Sequence, residues 1–125
     1  MLSWTPSLRI LLAVEPVDFR KGIDALAALC REAWNEDPFS GTLFVFRNRP
    51  ATGLKLLLYD GQGFWLCWRR LSSGRLAWWP QNAAAPLHPL AASHLLVLLH
   101  QGNPEQACFP PPWRRLPSQG GAANE

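Results

Sequence analysis

The side chains best able to do chemistry are arginines mixed with tryptophans in the middle of the chain. Residues 38–80 carry six basic side chains against one acid, Asp60, a balance of +5, whereas residues 1–37 carry four basic and six acidic side chains, a balance of −2. A guanidinium group binds phosphate through paired donors, and an indole ring stacks on a base. The mixture indicates contact with a polyanion; a solvated face whose tryptophans lie under arginine stems is the alternative.

A second candidate lies at the expected start of the first helix, in the segment Asp18-Phe19-Arg20-Lys21-Gly22. Free backbone N–H groups and the positive end of the helix dipole favour anions there, and Arg20 and Lys21 would add to them. The alternative is that Asp18 simply caps the helix and both cations are ordinary exposed residues. The sequence leaves these two interpretations equal.

Neither a metal site nor a catalytic centre is expected. The histidines are six residues apart, which is not one helix face, and no pair of cysteines has the C-x-x-C spacing of a zinc site. The cysteines fall on a helix face, in mid-strand and in the tail, and the acids have simpler roles in a helix cap and a turn, so no activated nucleophile is expected. The residues considered are His88, His94, His100, Cys30, Cys67, Cys108, Asp18, Asp24 and Asp60. The sequence therefore predicts no enzyme and no cofactor.

The pattern of apolar residues predicts one α+β domain over residues 1–102. A short strand at 8–14 precedes an amphipathic helix at 19–35, in which Ile23, Leu26 and Cys30 share a face. A four-stranded antiparallel meander follows at 42–48, 54–60, 64–71 and 75–79, with a hairpin turn at 60–63. A C-terminal helix at 89–101 has Pro89 near its start and Gly102 after its end.

The C-terminal helix and the tail after it lead to two further expectations, one about self-association and one about disorder. The apolar face of the helix at 89–101 is wider than one contact with a sheet requires, so self-association into a homo-oligomer is an alternative to the favoured fully covered helix. Residues 103–125 form a tail rich in Pro and Gly, which we expect to be disordered.

Strand periodicity divides the third strand of the meander between two faces. One face carries Trp65, Cys67, Arg69 and Leu71. The other face carries Phe64, Leu66, Trp68 and Arg70. One face must meet the helices. The other, carrying Trp and Arg, is expected to be exposed.

The chain is expected to be a soluble cytoplasmic protein with no membrane partner. Its N-terminus lacks the charged and apolar regions of a signal peptide, and no apolar run approaches the ~20 residues that span a bilayer. Three widely spaced cysteines suggest no disulfide framework.

Several segments, taken in order, resemble one protein family. They are LLA at 11–13, DFRKGIDAL at 18–26, DPFSGTLFVFRNR at 37–49, LKLL at 54–57, YDGQGF at 59–64, RRL at 69–71 and GRL at 74–76, followed by Trp78. Together they are similar to the TnpB accessory proteins that the second open reading frame of bacterial insertion-sequence family sixty-six encodes. The resemblance covers residues 8–99. It implies a role beside a separately encoded transposase and suggests binding to DNA or to that transposase.

Residues and resemblance together predict a non-catalytic accessory protein of transposition whose arginine-rich sheet surface contacts DNA at the element ends. The alternative is an adaptor that binds the transposase through Trp and Leu surfaces without touching DNA. The side chains expected to contact DNA are Arg20, Lys21, Arg47, Arg49, Lys55, Arg69, Arg70 and Arg75.

Overall fold

The computed structural model of the protein describes residues 8–81 and 84–102, which form one mixed sheet with a helix on each side. The elements, in chain order, are β1 (Ile10–Ala13), α1 (Ile23–Trp34), β2 (Leu43–Arg47), β3 (Gly53–Tyr59), β4 (Phe64–Arg70), β5 (Leu87–Leu90) and α2 (Ala92–Leu99). The expected α+β class is confirmed. The expected disordered tail at 103–125 lies outside the described residues.

The sheet has five strands in the order β4-β3-β2-β1-β5. The hairpins β2–β3 and β3–β4 are antiparallel, as three strands of the expected meander require, and Tyr59 pairs with Phe64 across the second turn. β1 lies parallel to β2, because α1 carries the chain back to the end of the sheet at which β1 began. β5 adds antiparallel to the outer side of β1.

Both faces of the sheet are covered, so the prediction of one open face is wrong. On the first face, Leu26 and Cys30 of α1 pack against Phe44, Phe46 and Leu57. On the second face, α2 and the loop after β4 complete a cluster of buried apolar residues. It comprises Ile10, Leu12, Leu43, Val45, Leu54, Leu56, Leu58, Trp79, Leu95 and Leu98. The exposed parts of the sheet are therefore its edge strands, chiefly the longer β4, and not a whole face.

The predicted fourth strand of the meander, at 75–79, is wrong, because this segment forms a loop. The backbone N–H of Leu76 donates to the Ala51 carbonyl at 2.8 Å, and the loop then passes over the second face. The indole Nε1 of Trp79 donates to the Ala13 carbonyl at 2.9 Å inside the core. The apolar residues of this loop thus pack into the core and do not form a further strand of the sheet.

Both predicted helices begin later than expected. Residues 89 and 90, the expected start of the second helix, belong instead to β5, which tolerates Pro89 because an edge strand needs ladder bonds on only one side. α1 begins at Ile23 with Gly22 as its N-cap, so the predicted cap by Asp18 is wrong. The two helices have 12 and 8 residues, and no helix in the described part of the chain is long and apolar enough to cross a membrane.

The loop at 75–79 can be tested through the buried hydrogen bond of Trp79. Trp79→Phe removes the Nε1–H donor, leaves the Ala13 carbonyl without its partner and opens a gap beside β1. We expect the free energy of unfolding to fall by about 2 kcal/mol in a urea titration. Trp78→Phe, at the half-buried neighbour whose ring contacts His88, is the control and should cost less than about 1 kcal/mol. Equal losses in both variants would contradict a special role for the Trp79 bond.

Candidate nucleic-acid interface

The turn between β2 and β3 collects basic residues at one end of the sheet. Gly53 pairs with Arg70, and the backbone N–H of Leu71 donates to the Thr52 carbonyl at 3.0 Å, so the end of β4 lies beside this turn. The bond from Leu76 to Ala51 holds the following loop at the same place. Arg49 of the turn, Arg69 and Arg70 of β4 and Arg75 of the loop therefore belong to one end, and all four are exposed.

The turn is held by one asparagine side chain. Oδ1 of Asn48 accepts from the backbone N–H of Thr52 at 2.9 Å and of Gly53 at 3.2 Å, while its Nδ2 donates to Oγ1 of Thr52 at 2.9 Å. Ala51 takes a φ of +60°, a strained conformation that these bonds help to hold. The backbone around Arg49 is therefore fixed before any ligand binds.

Lys55 fastens the segment before α1 to the same end. Its side chain lies inside the sheet–helix layer with only 5% of the residue exposed. Nζ donates to the Phe19 carbonyl at 2.6 Å and to the Lys21 carbonyl at 3.0 Å, and lies 4.9 Å from the Trp68 ring centre and 5.1 Å from that of Phe19. Burial lowers the pKa of the Lys55 amine. Lys55 thus positions Lys21 and does not itself face solvent.

Gly53 lies where this segment meets the sheet. A Cβ atom at this position would lie 3.2 Å from the Arg69 carbonyl oxygen, a tight approach, and 3.4 Å from the Phe19 ring, an ordinary contact. The Phe19 ring sits against the sheet here and meets Trp68 edge-on with ring centres 6.0 Å apart. The segment at 19–21 therefore packs directly beside the ends of β3 and β4.

Arg20 differs from its neighbour because it is already paired. Its Nη2 lies 2.7 Å from Oδ2 of Asp18, and its backbone N–H donates to Oδ1 of Asp18 at 2.9 Å. The side-chain hydrogen bond from Arg20 is the largest cause that lowers the pKa of Asp18 to about 2. Asp18 is thus fully ionised at neutral pH and offsets the charge of Arg20, while Lys21 is exposed beside them.

Arg47 is half-buried and faces the loop at 71–80. Its guanidinium carbon lies 5.8 Å from the Trp79 ring centre, and Nη1 lies 3.5 Å from the carbonyls of Asn48 and Arg49. Nε is buried without a hydrogen-bond partner, and burial lowers the pKa of the group. Arg47 therefore contacts the turn from the core side, and its side chain is less accessible to solvent than that of Arg49.

Of the eight predicted residues, the structure brings a smaller exposed set together. We call this set the basic end; it comprises Lys21, Arg49, Arg69, Arg70 and Arg75. Lys55 and Arg47 lie behind it, and Arg20 is paired at its border. Residues 69 and 70 alternate between the two sides of β4, so the basic end wraps around the sheet edge.

Two features of this end were not foreseen from the sequence. A cleft of about 380 Å³ lies between residues 16–19 and 48–50, and Arg49 is one of its lining residues. Trp68 is 60% exposed and stands at the basic end, whereas Trp65 is held at the far end by a 2.7 Å bond from its Nε1 to Oδ2 of Asp60. Alternation along β4 separates the sides of the strand, but it does not show how exposed each tryptophan is or which side chain holds it.

The residues considered for metal binding or catalysis do not form a metal-ligand cluster in the described part of the chain. In the described part of the chain, no three His, Cys, Asp or Glu side chains come together as metal ligands. Burial raises the pKa of the Cys30 thiol to about 12, so at neutral pH this group is a protonated core side chain. Cys108 lies outside the described residues.

The role of Lys55 can be tested by removing its ammonium group. Lys55→Met keeps the aliphatic stem but leaves the Phe19 and Lys21 carbonyls without their donor, and we expect a loss of about 2 kcal/mol in the free energy of unfolding. The amide of Lys21, which donates to the Asp18 carbonyl, should exchange hydrogen faster. Lys21→Met removes the same charge from an exposed site and should cost within about 0.5 kcal/mol. If the two variants behaved alike, Lys55 would not anchor this segment.

Comparison with known proteins gives a consistent result. A family model described as "IS66 Orf2 like protein" matches residues 8–108. The chain is 39% identical over 85 residues to the uncharacterized protein y4jC of Sinorhizobium fredii, covering 68% of this chain and 73% of that protein. It is 33% identical over 111 residues to the uncharacterized protein y4hO of the same organism, covering 88% and 96%.

No solved structure matches the chain. The family match takes in every strand and helix described above, together with the whole basic end. The chain therefore belongs to the IS66 Orf2-like family, whose members are accessory proteins of an insertion sequence.

Proposed function

We propose that this protein is a non-catalytic accessory factor of transposition that binds DNA at the element ends, in the cytoplasm, through its basic end. The observation that supports this proposal most strongly is the gathering of five exposed cations from four separate segments around one turn. A cluster of this kind attracts phosphates and releases condensed counterions when it binds.

The cations of the basic end are free to act on a ligand. Among residues 8–81 and 84–102, none of the five forms an ion pair with a carboxylate, whereas Arg9 pairs with Glu36 and Arg20 with Asp18. Arginine supplies four of the five, and its planar group suits bidentate contact with phosphate. The surface thus retains its charge for a polyanion.

Trp68 adds a second kind of contact. Its exposed indole lies among the cations, with the Phe19 ring and the Lys55 ammonium fixing it from behind. Such a ring stacks on an unpaired base with little regard to sequence. DNA ends that are being opened or nicked would offer bases of this kind. The proposed substrate class is therefore duplex DNA with partly unpaired ends.

The dependence of affinity on salt tests the proposed phosphate contacts. If three to five phosphates are neutralised, the logarithm of affinity for an element-end duplex should fall with the logarithm of salt concentration at a slope of roughly −3 to −4.5. Arg69→Ala with Arg70→Ala should weaken binding and reduce the slope by about 2, since each lost contact removes about one ion. Fluorescence anisotropy at several salt concentrations measures both quantities.

Two single variants serve as controls for that experiment. Arg31→Ala removes one exposed charge from the last turn of α1, the end away from Lys21, and should leave the slope unchanged. Arg20→Ala should change it less than Arg49→Ala, because Asp18 already offsets Arg20. Binding that does not respond to salt, or an equal effect of the Arg20, Arg31 and Arg49 substitutions, would contradict contact through the basic end.

A second candidate function rests on the exposed apolar side chains. Phe39, Trp65, Trp68 and Leu96 are between 37% and 60% exposed, and aromatic residues are frequent anchors of protein interfaces. An adaptor would bind the transposase through them. Co-purification of the two proteins after nuclease treatment distinguishes the cases: a complex that survives nuclease and is lost in Phe39→Ala or Leu96→Ala supports the adaptor. A complex lost with the nucleic acid supports DNA as the link.

A further inference from the structure

The two edges of the sheet differ in how well they are protected. β5 has four residues, includes Pro89 and so presents a short edge with a missing donor. β4 has seven residues, FWLCWRR, without proline, and most of it is exposed or half-buried. An exposed strand of this length is a template for pairing with another chain.

The pairing of β4 with β3 shows which of its backbone groups are free. Leu71 donates to Thr52 and Asp60 donates to Gly63, so the hydrogen-bonded pairs fall at odd-numbered residues of β4. The N–H and C=O groups of its even-numbered residues, 64, 66, 68 and 70, point away from the sheet. In the described part of the chain, no hydrogen bond from another backbone segment reaches these N–H and C=O groups.

We propose that β4 pairs antiparallel with β4 of a second copy of this chain, about a twofold axis at Cys67. Residue 67 is the midpoint of the strand, so this register is the one that overlaps all seven residues. It sets the free groups of Leu66 against those of Trp68 of the second copy, and those of Phe64 against Arg70. The five-stranded sheets would join into one continuous sheet.

The side chains of β4 are complementary to themselves in this register. Both cations, Arg69 and Arg70, lie at one end of the strand and both leading aromatics, Phe64 and Trp65, at the other. Antiparallel overlap puts Arg69 opposite Trp65 and Arg70 opposite Phe64 of the second copy, where guanidinium and ring attract each other. Parallel pairing would instead place arginine beside arginine, which is unfavourable.

The other occupants fit this edge less well. The segment FPPPW at 109–113 of this chain lacks three consecutive N–H donors, so it cannot form a continuous ladder. An extended segment of a transposase has a different sequence, so the arrangement of β4 side chains about Cys67 would have no counterpart in it. Self-pairing is the arrangement that accounts for the positions of both arginines and of both leading aromatic residues.

Cysteine trapping tests both the partner and the register. At the axis, Cys67 would form a non-hydrogen-bonded pair with its own copy, at a Cα separation of about 4.5 Å, within disulfide range. In a Cys108→Ser variant, diamide, which takes up the two thiol hydrogens, should therefore give a disulfide-linked dimer on a non-reducing gel. Cys67→Ser with Cys108→Ser, which keeps only the buried Cys30, is the control and should give none.

A charge exchange tests the cross-strand pairs in the absence of DNA. Trp65→Arg places like charges opposite each other twice across the axis, and should weaken the dimer by roughly tenfold or more in sedimentation equilibrium. The Asp60 side chain keeps its two hydrogen bonds from the Gln62 and Gly63 backbone N–H groups, so the hairpin should remain folded, as a thermal melt would confirm. Trp65→Arg with Arg69→Glu restores opposite charges and should restore the dimer.

Three results would overturn self-pairing through β4. They are a monomer at all concentrations, a dimer that diamide does not trap through Cys67, and a dimer that is indifferent to Trp65→Arg. A monomer that binds an extended transposase peptide along β4 would also overturn it, in favour of that occupant. None of these measurements includes DNA, so failure here is distinct from failure of the proposed phosphate contacts.

Discussion

The buried ammonium of Lys55 is the contact on which the rest of this arrangement depends. Taking a charged amine out of water is unfavourable, and it is offset by two backbone carbonyls and the faces of two aromatic rings. Because those carbonyls belong to Phe19 and Lys21, the same contact fixes the segment before α1 against β3. Without it, Lys21 would not be held beside Arg49 and Arg70. One interior charge thus fixes the position of an exterior one.

Local patterns in the sequence predicted the parts of the fold that depend on near neighbours. The alternation in 64–70 and the Asp60-Gly61-Gln62-Gly63 turn gave the β3–β4 hairpin, and the helical spacing of Leu26 and Cys30 gave the buried face of α1. The burial of Lys55 depends on carbonyls 34 and 36 residues away. Nothing in the local sequence LKLLLY distinguishes that lysine from a solvated one, so its role required the tertiary structure.

The wrong predictions share a physical cause. The segment at 75–79 is apolar enough for a strand, yet its Trp79 is held by the carbonyl of Ala13, a residue of β1 that lies 66 positions earlier. Residues 87–90 follow an apolar pattern that fits a helix as well as a strand, and the free edge of β1 decides the outcome. Where two structures suit the local pattern, contacts distant in sequence choose between them. The family resemblance, by contrast, depends on ordered motifs and was confirmed.

The basic end and the β4 edge meet in Arg69 and Arg70, which joins the two proposals physically. An arginine that lies over an aromatic ring keeps its charge, so pairing through β4 would not remove these residues from a phosphate surface. The twofold axis would instead set two basic ends at opposite ends of the paired strands. Two sites on one rigid sheet bind a long polyanion more tightly than either alone, because the second contact becomes intramolecular. A strand whose two cations stand at one end and whose first two aromatic residues stand at the other would serve both purposes.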